Sequence, residues 1–229
     1  MNILLINKCK YIPKYLLAGS IGIIGCLNLF YLKSINKKDR INLIFDLDET
    51  LISSKKSKNI QRHNMYGSIK HDYMCDYISK NKKIDDITKE EKIISTQHSY
   101  FVWKRPFVNL VFFVLSKYNN LYLLTRGSDD YATNICNGID ISDHFIEKKF
   151  RNDINSYNDK NNSKGKNLAI FNNIDVNNSI LIDDLDSNHV DNQRFIHITP
   201  YSSYKCVDFE LIKLLFNVSF QNIKHVFSK

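Results

Sequence analysis

Residues 41–51 read Ile-Asn-Leu-Ile-Phe-Asp-Leu-Asp-Glu-Thr-Leu, an apolar run that stops at two aspartates one residue apart. The run predicts a buried strand, and open α/β sheets hold their ligands at the C-terminal ends of such strands. In an extended segment the side chains of Asp46 and Asp48 point to the same side. Because magnesium prefers oxygen ligands and often binds through one or two carboxylates, this strand end suits a magnesium ion and a phosphate group.

Two later strands are also predicted to end in polar side chains. Thr125 follows the apolar stretch 120–124, and a hydroxyl there can hold a phosphate oxygen. Asp183 and Asp184 follow the apolar stretch 179–182 and form a second acid pair. Strands that alternate with helices predict a mainly parallel α/β sheet with helices on both faces, in which such strand ends share one edge. The three strand ends together indicate a phosphate and metal site.

The residue types fit phosphoryl transfer. A carboxylate can attack phosphorus and carry the phosphoryl group as a covalent intermediate, which makes Asp46 the candidate nucleophile. Asp48 can sit near the leaving oxygen and is the candidate general acid and base. Fixed positive charge must offset the charge on the phosphate, and Lys160, Lys164 and Lys166 compete for this role in the polar loop before the last of these strands.

These motifs resemble those of the haloacid dehalogenase superfamily, and within it the FCP/SCP-type protein phosphatases, also called the NLI-interacting-factor-like family. The resemblance covers roughly residues 41–220. The matching segments are Asp-Leu-Asp-Glu-Thr-Leu at 46–51, Arg-Pro-Phe at 105–107, Thr125 with Tyr131 and Ala132, Lys-Asn-Leu at 166–168, Asp183 with Asp184, and the tail from Asn192 to Tyr201. The leucine at 168 and the distance to Asp183 favour Lys166 over the other two lysines.

The resemblance implies a Rossmann-like haloacid dehalogenase fold with a small β-insertion after the first strand, at about residues 53–97. It also implies a magnesium-dependent (Mg2+) phosphatase that hydrolyses phosphoserine or phosphothreonine in a protein substrate through an aspartyl-phosphate intermediate. The residues implied are Asp46, Asp48, Thr125 and Lys166 as catalytic groups and Asp46, Asp48, Asp183 and Asp184 as metal ligands. We also expect Thr50 and Arg126 to contact the substrate.

Two stretches depart from the family pattern. Small residues usually follow the motif threonine, whereas this chain has Arg-Gly-Ser at 126–128. Arg126 is therefore expected either to alter the phosphate pocket or to add a cation to it. Leu185 and Asp186 replace the more usual small residue and proline after the last acid pair.

The N-terminal region predicts a membrane anchor. Residues 15–32 form an uncharged, mostly apolar stretch of about 18 residues, the short end of a transmembrane helix. The predicted organisation is a basic leader at 1–14, the anchor at 15–32, a linker at 33–40, a phosphatase domain at 41–220 and a tail at 221–229. No acid occurs before Asp39, so a cleaved signal or mitochondrial targeting segment is the alternative. Lysines on both flanks leave the topology open.

An anchored member of this family is expected in one of two membranes. Dullard-like phosphatases are anchored in the nuclear envelope and endoplasmic reticulum. The receptor subunit of the mitochondrial presequence translocase shares the domain and an anchor, so a non-enzymatic binding subunit of the mitochondrial inner membrane is the rival hypothesis. Members of that type often lose catalytic acids, whereas this chain keeps them all, which favours catalysis. A hydrolase of small phosphate metabolites is a third hypothesis.

The composition limits the classes of molecule that this protein is expected to bind. The 229 residues carry a formal charge of +8, which favours acidic partners such as phosphorylated substrates, anionic lipid or nucleic acid. Part of this excess belongs to the N-terminal region, and the expected partner is a phosphorylated protein, with no direct nucleic-acid binding. The five cysteines are scattered, without a C-x-x-C pair, which argues against a zinc site, a disulfide framework or a cysteine nucleophile.

Overall fold

A computed structural model describes residues 39–56, 73–84, 91–202 and 208–227. The strands are β1 Asn42–Phe45, β2 Ile52–Lys56, β3 Tyr73–Ile84, β4 Glu91–Lys104, β5 Asn120–Leu124, β6 Phe145–Lys149, β7 Ser179–Asp183 and β8 Arg194–His197. The α-helices are α1 Val108–Tyr118, α2 Asp129–Gly138, α3 Arg151–Asn161 and α4 Glu210–Phe227.

Five strands form a parallel sheet in the order β6-β5-β1-β7-β8. The strand before the paired acids, β1, lies at its centre, and Phe45 is in register with Leu123 of β5 and Ile182 of β7. All four residues of β1 are buried, as expected for a strand covered on both faces. The register brings the C-terminal ends of β1, β5 and β7 to the same edge of the sheet.

Alternate residues of β1 pack into two different cores. Leu43 and Phe45 belong to a large cluster with apolar residues of α1, α2 and α4. Ile44 belongs to a smaller cluster with Ile154 of α3 and Phe171. Because successive side chains of a strand point to opposite faces, helices cover both faces of the sheet. This confirms the α/β class and the mainly parallel sheet.

The segment after β1 forms a separate three-stranded antiparallel sheet in the order β2-β4-β3. Ile52 of β2 pairs with Lys104 of β4, and Tyr73 of β3 pairs with Val102 of β4. These strands account for the small β-insertion expected at about residues 53–97. The insertion is wider than expected, because β2 begins at Ile52 and β4 runs on to Lys104.

Several local predictions differ from the structure. The sequence predicts a short helix at 166–172, whereas the structure has a single 3-10 turn at Leu168–Ile170. The last helix runs to Phe227, beyond the expected domain end at 220. The helical spacing of Phe209, Ile212, Leu215 and Phe216 predicts that this stripe lies in the core. Phe216 is nevertheless 39% exposed, whereas Leu211 and Leu214 are buried.

The leader, the anchor and nearly all of the linker lie outside the described residues, so the anchor stays a prediction. Within the described part of the chain, helices long and apolar enough to cross a bilayer are absent.

Candidate active site

Three buried carboxylates meet at the C-terminal edge of the parallel sheet. Asp46 directly follows β1, and its amide donates to the carbonyl of Ile182 at 3.0 Å, which extends the pairing with β7 by one residue. Asp183 ends β7, and Asp184 follows it. Each of the three acids offers an oxygen, and these oxygens lie within 4.8 Å of one another. The strand register thus produces the cluster.

The ammonium group of Lys166 lies inside this cluster. Its Nζ is 2.6 Å from Asp46 Oδ1 and 2.7 Å from Asp183 Oδ2, and its side chain is 1% exposed. The amide of Lys166 donates to the carbonyl of Asn188 at 2.8 Å. Of the three candidate lysines, Lys166 is the one at the acids, since Lys160 and Lys164 are exposed.

A glycine allows this lysine loop to approach the chain after β7. Gly165 has φ +81°, a left-handed conformation that favours glycine. A Cβ atom at this position would lie 2.9 Å from the Asn188 carbonyl oxygen. The backbone at Gly165 therefore has to lie this close for Lys166 to hydrogen-bond Asn188.

The donor set fits a divalent cation. Three carboxylates and one ammonium leave an excess of negative charge in a buried site. Burial, opposed by Lys166 and reinforced by Asp183, raises the pKa of Asp46 to about 7. Burial also raises the pKa of Asp184. A hard cation with oxygen ligands would offset this charge, because it favours the ionised form of every acid that it contacts.

Asp48 lies outside the acid cluster, although it was predicted as a metal ligand. Its Oδ1 accepts a hydrogen bond from Tyr131 at 2.5 Å and one from Ser54 at 3.1 Å. β1 ends at Phe45, so the alternation of side chains along a strand does not fix the direction of the Asp48 side chain three residues later. Burial raises the pKa of Asp48, and the hydrogen bond from Tyr131 opposes the rise.

Thr50 contacts a predicted metal ligand instead of the cleft. Its side chain is fully buried, and its hydroxyl donates to Asp184 Oδ1 at 3.1 Å. Asn188, which the sequence did not single out, similarly donates to both oxygens of Asp183 at 3.0 and 3.1 Å. Asp183 and Asp184, both predicted metal ligands, are thus each oriented by a buried polar side chain.

Thr125 and Arg126 line an open cleft of about 900 Å³ above the acids. Thr125 Oγ1 accepts from the amide of Gly127 at 3.1 Å, which holds the loop after β5 in a tight turn. Arg126 is exposed, and its Nε donates to Asn188 Oδ1 at 3.1 Å. Both predicted residues therefore reach the cleft, and Arg126 brings a positive charge to its rim.

Other residues of the cleft were missed by sequence reasoning, among them Ser54, Asn188 and Arg151. The sequence predicts a strand at 145–150, and β6 forms there. Arg151 directly follows that predicted strand, so it had the same signal as Thr125. Ser54 had no such signal, because it reaches the cleft through the pairing of β2 with β4.

Cys136 is fully buried, and burial raises the pKa of its thiol to about 12. A protonated, inaccessible thiol is a poor nucleophile. Cys136 therefore does not provide a cysteine nucleophile for phosphate chemistry.

Comparison with solved structures places the fold. The chain is similar to the fission yeast RNA polymerase II CTD phosphatase Fcp1 bound to beryllium fluoride, with 17% identity and a TM-score of 0.52. A second structure of Fcp1, an essential RNA polymerase II CTD phosphatase, gives 18% identity and a TM-score of 0.53. Each match covers 87% of this chain and 54% of the Fcp1 chain, so the chain spans about half the length of these relatives. At this identity the likeness concerns the fold alone.

Comparison with curated proteins gives no match. Comparison with family models says more about this chain than the likeness to solved structures does. The family model described as "NLI interacting factor-like phosphatase" matches residues 41–222, from the start of β1 into α4. The match includes every residue of the acid cluster and the cleft described above. The chain therefore belongs to the NLI interacting factor-like phosphatases, the FCP/SCP-type branch of the haloacid dehalogenase superfamily.

Proposed function

We propose that this protein is a magnesium-dependent phosphatase that hydrolyses phosphoserine and phosphothreonine in a protein substrate through an aspartyl-phosphate intermediate. The observation that supports this most directly is the position of Asp46. Its carboxylate lies at the base of an open cleft, 2.6 Å from the ammonium of Lys166, with Asp48 also lining the cleft. The arrangement provides a nucleophile, a fixed cation and a proton carrier side by side.

In the first step, an oxygen of Asp46 attacks phosphorus while the bond from phosphorus to the seryl or threonyl oxygen breaks, and Asp48 gives that oxygen a proton. In the second step, Asp48 takes a proton from water, and the water oxygen attacks the phosphorus of the aspartyl-phosphate. Inorganic phosphate leaves, and the Asp46 carboxylate is restored. Lys166 offsets negative charge on Asp46 and the phosphoryl oxygens throughout.

Asp46, Asp183 and Asp184 would hold the magnesium ion. When bound, the ion supplies positive charge to the phosphate oxygens. Thr50 and Asn188 fix the carboxylates of Asp184 and Asp183, so the ligands are held in place before the ion arrives. The Asp48 carboxylate is engaged elsewhere, and we assign it to proton transfer rather than to metal binding.

The cleft supports a phosphoprotein as the substrate. It is wide and open, and its rim includes the cationic side chains of Lys56, Arg126 and Arg151. An anionic phosphorylated segment would meet these cations before its phosphate reaches Asp46. Thr125 and Ser128 add polar groups to the lining of the cleft.

The full-length protein should hydrolyse a phosphoserine peptide and p-nitrophenyl phosphate with magnesium and lose both activities in EDTA. Asp46→Asn should reduce turnover to background, because the amide is a poor nucleophile. Asp191→Asn, at an exposed acid outside the cleft, serves as the matched control and should keep full activity. Release of inorganic phosphate measures all of these. An absence of turnover, or turnover that Asp46→Asn leaves unchanged, would favour the protein-binding role instead.

We further propose that residues 15–32 anchor this domain in the endoplasmic reticulum and nuclear envelope or in the mitochondrial inner membrane. The described chain begins at Asp39, before β1, and the Asp39 carbonyl lies 3.1 Å from a ring nitrogen of His225 near the end of α4. The acids follow the other end of β1. An anchor that enters at Asp39 would therefore leave the cleft on the edge of the sheet away from its attachment.

A further inference from the structure

We infer that Tyr131 positions Asp48 for proton transfer to the leaving oxygen. This inference rests on the proposed phosphatase function and assigns a positioning residue to the same site. Tyr131 lies on α2, whereas Asp48 lies in the loop after β1. The two elements are far apart in the sequence, so their contact depends on the whole fold.

The contacts are short and converge on one atom. Tyr131 Oη donates to Asp48 Oδ1 at 2.5 Å, and Ser54 Oγ lies 3.1 Å from the same Oδ1. Tyr131 Oη and Ser54 Oγ are also 2.7 Å apart, so the three side chains form a closed triangle. Among the described residues, Asp48 Oδ2 has no hydrogen-bond partner. One oxygen of Asp48 is thus held, and the other is left for a proton.

The ring of Tyr131 is itself fixed on more than one side. It is 6% exposed, and its centroid lies 5.1 Å from that of Tyr100 at an interplanar angle of 59°. Gly127 lets the ring come close to the backbone, since a Cβ atom at 127 would lie 2.9 Å from Tyr131 Cδ1. The hydroxyl therefore has little freedom to leave Asp48.

Holding Asp48 matters because its carboxylate is also attracted toward the ammonium of Lys166. Asp48 is two residues from Asp46, and the charge of Lys166 reaches it. Rotation about χ2 of an aspartate has only a shallow preference, so without a partner the carboxylate can turn toward Lys166. The hydrogen bond from Tyr131 keeps it apart from the cluster. Orientation of this kind affects rate more than substrate affinity.

Tyr131→Phe in the full-length protein tests this with two substrates. A seryl oxygen needs a proton to leave, whereas p-nitrophenolate leaves without one, so only the peptide depends on a placed general acid. Both substrates share the second step, so the first step is measured alone, in a single turnover with enzyme in excess. We expect its rate with the phosphoserine peptide, followed as release of the dephosphorylated peptide, to fall about tenfold or more, which is part of the factor of about 10² to 10⁴ that general acid catalysis contributes. The enzyme concentration that gives the half-maximal rate, and the first-step rate with p-nitrophenyl phosphate, should change little. Asp48→Asn should show the same selective loss in the first step.

Tyr122→Phe is the matched control, because Tyr122 is equally buried but packs in the core on the other face of the sheet. Tyr122→Phe should leave the first-step rate unchanged with both substrates. If Tyr131→Phe melts far below the wild type, Gly127→Ala provides the test instead. Its methyl group pushes the Tyr131 ring, so the first-step rate should again fall for the peptide and not for p-nitrophenyl phosphate, but by a smaller factor.

Equal losses of the first-step rate on both substrates, or an unchanged first-step rate on the peptide, would overturn the role of Tyr131 and leave the phosphatase proposal standing. An inactive wild type, or indifference to Asp46→Asn, would overturn both.

Discussion

The ammonium of Lys166 lies between two acids, 2.6 Å from Asp46 Oδ1 and 2.7 Å from Asp183 Oδ2. Lys166→Met keeps an unbranched side chain of similar length and removes the charge. We expect turnover of the phosphoserine peptide to fall about 10²- to 10³-fold, the usual cost of removing one preorganised electrostatic group. The measurement is the steady-state kcat at saturating magnesium.

Lys164→Met is the matched control, because Lys164 lies in the same loop but is exposed. It should leave kcat unchanged. A variant at 164 that loses as much activity as the one at 166 would contradict the assignment of the lysine.

Sequence reasoning predicted the grouping of three acids but also expected Asp48 beside them, and the difference has a physical reason. Asp46, Asp183 and Asp184 continue strands, and parallel register brings strand ends together, so their grouping was predictable. Asp48 was expected to share their position because alternate residues of a strand point the same way. The strand ends at Phe45, so Asp48 lies three residues beyond it and the alternation of a strand does not fix where its side chain points. Local turn geometry of this kind has no signal in the residue types.

At the scale of elements, a buried ion pair joins Arg105, the residue after β4, to Asp208 just before α4. Arg105 Nε and Nη2 donate to the two carboxylate oxygens of Asp208 at 3.0 and 2.9 Å, and both side chains are almost fully buried. The same guanidinium donates to the carbonyls of Thr50 at 2.9 Å and Thr199 at 2.6 Å. Asp208 also accepts from the amide of Glu210 at 3.0 Å. One cation thus joins three segments of the chain.

Asp208→Ala should therefore destabilise the protein by about 3–5 kcal/mol, because it leaves the Arg105 charge buried without its partner. Chemical denaturation of the full-length protein measures the change in the free energy of unfolding. Asp186→Ala is the comparison: its pair with His197 is exposed, and exposed pairs contribute only about 0–1 kcal/mol. Similar losses in the two variants would show that Arg105 finds other compensation.

The helices show where periodicity stops being informative. In α4 the stripe of Phe209, Ile212, Leu215 and Phe216 has helical spacing and was expected in the core. Leu215 is buried and Ile212 packs against the core as predicted, but Phe216 is 39% exposed. Leu211, Leu214 and Val218 are buried as well, so the buried stripe is shifted around the helix. Because this helix is apolar over more than one face, the 3.6-residue period identifies a helix without saying which face meets the sheet. The face is decided by packing against α1, which the sequence does not reveal.

At the scale of the whole molecule, the start of the described domain and the candidate active site lie at opposite ends of β1. The chain enters at Asp39, beside His225 of α4, and the acids lie after the opposite end of β1. An anchor formed by residues 15–32 would then hold the domain by the edge away from the cleft. Loss of the anchor should consequently release the protein from membranes without reducing its turnover of a soluble phosphopeptide.

Two acidic substitutions inside the stretch, Ile23→Asp with Ile24→Asp, test this directly. Each charge near the centre of a membrane helix costs about 2.5–3.5 kcal/mol, so the pair should prevent stable insertion. We expect wild-type protein to stay with membranes during alkaline carbonate extraction, and the variant to be released with the same kcat for the phosphoserine peptide. The same two acids in the linker, Ile35→Asp with Asn36→Asp, should leave the protein bound. Wild-type protein that is extracted like the variant would contradict the anchor, whereas a released variant with reduced kcat would contradict the separation of anchor and cleft.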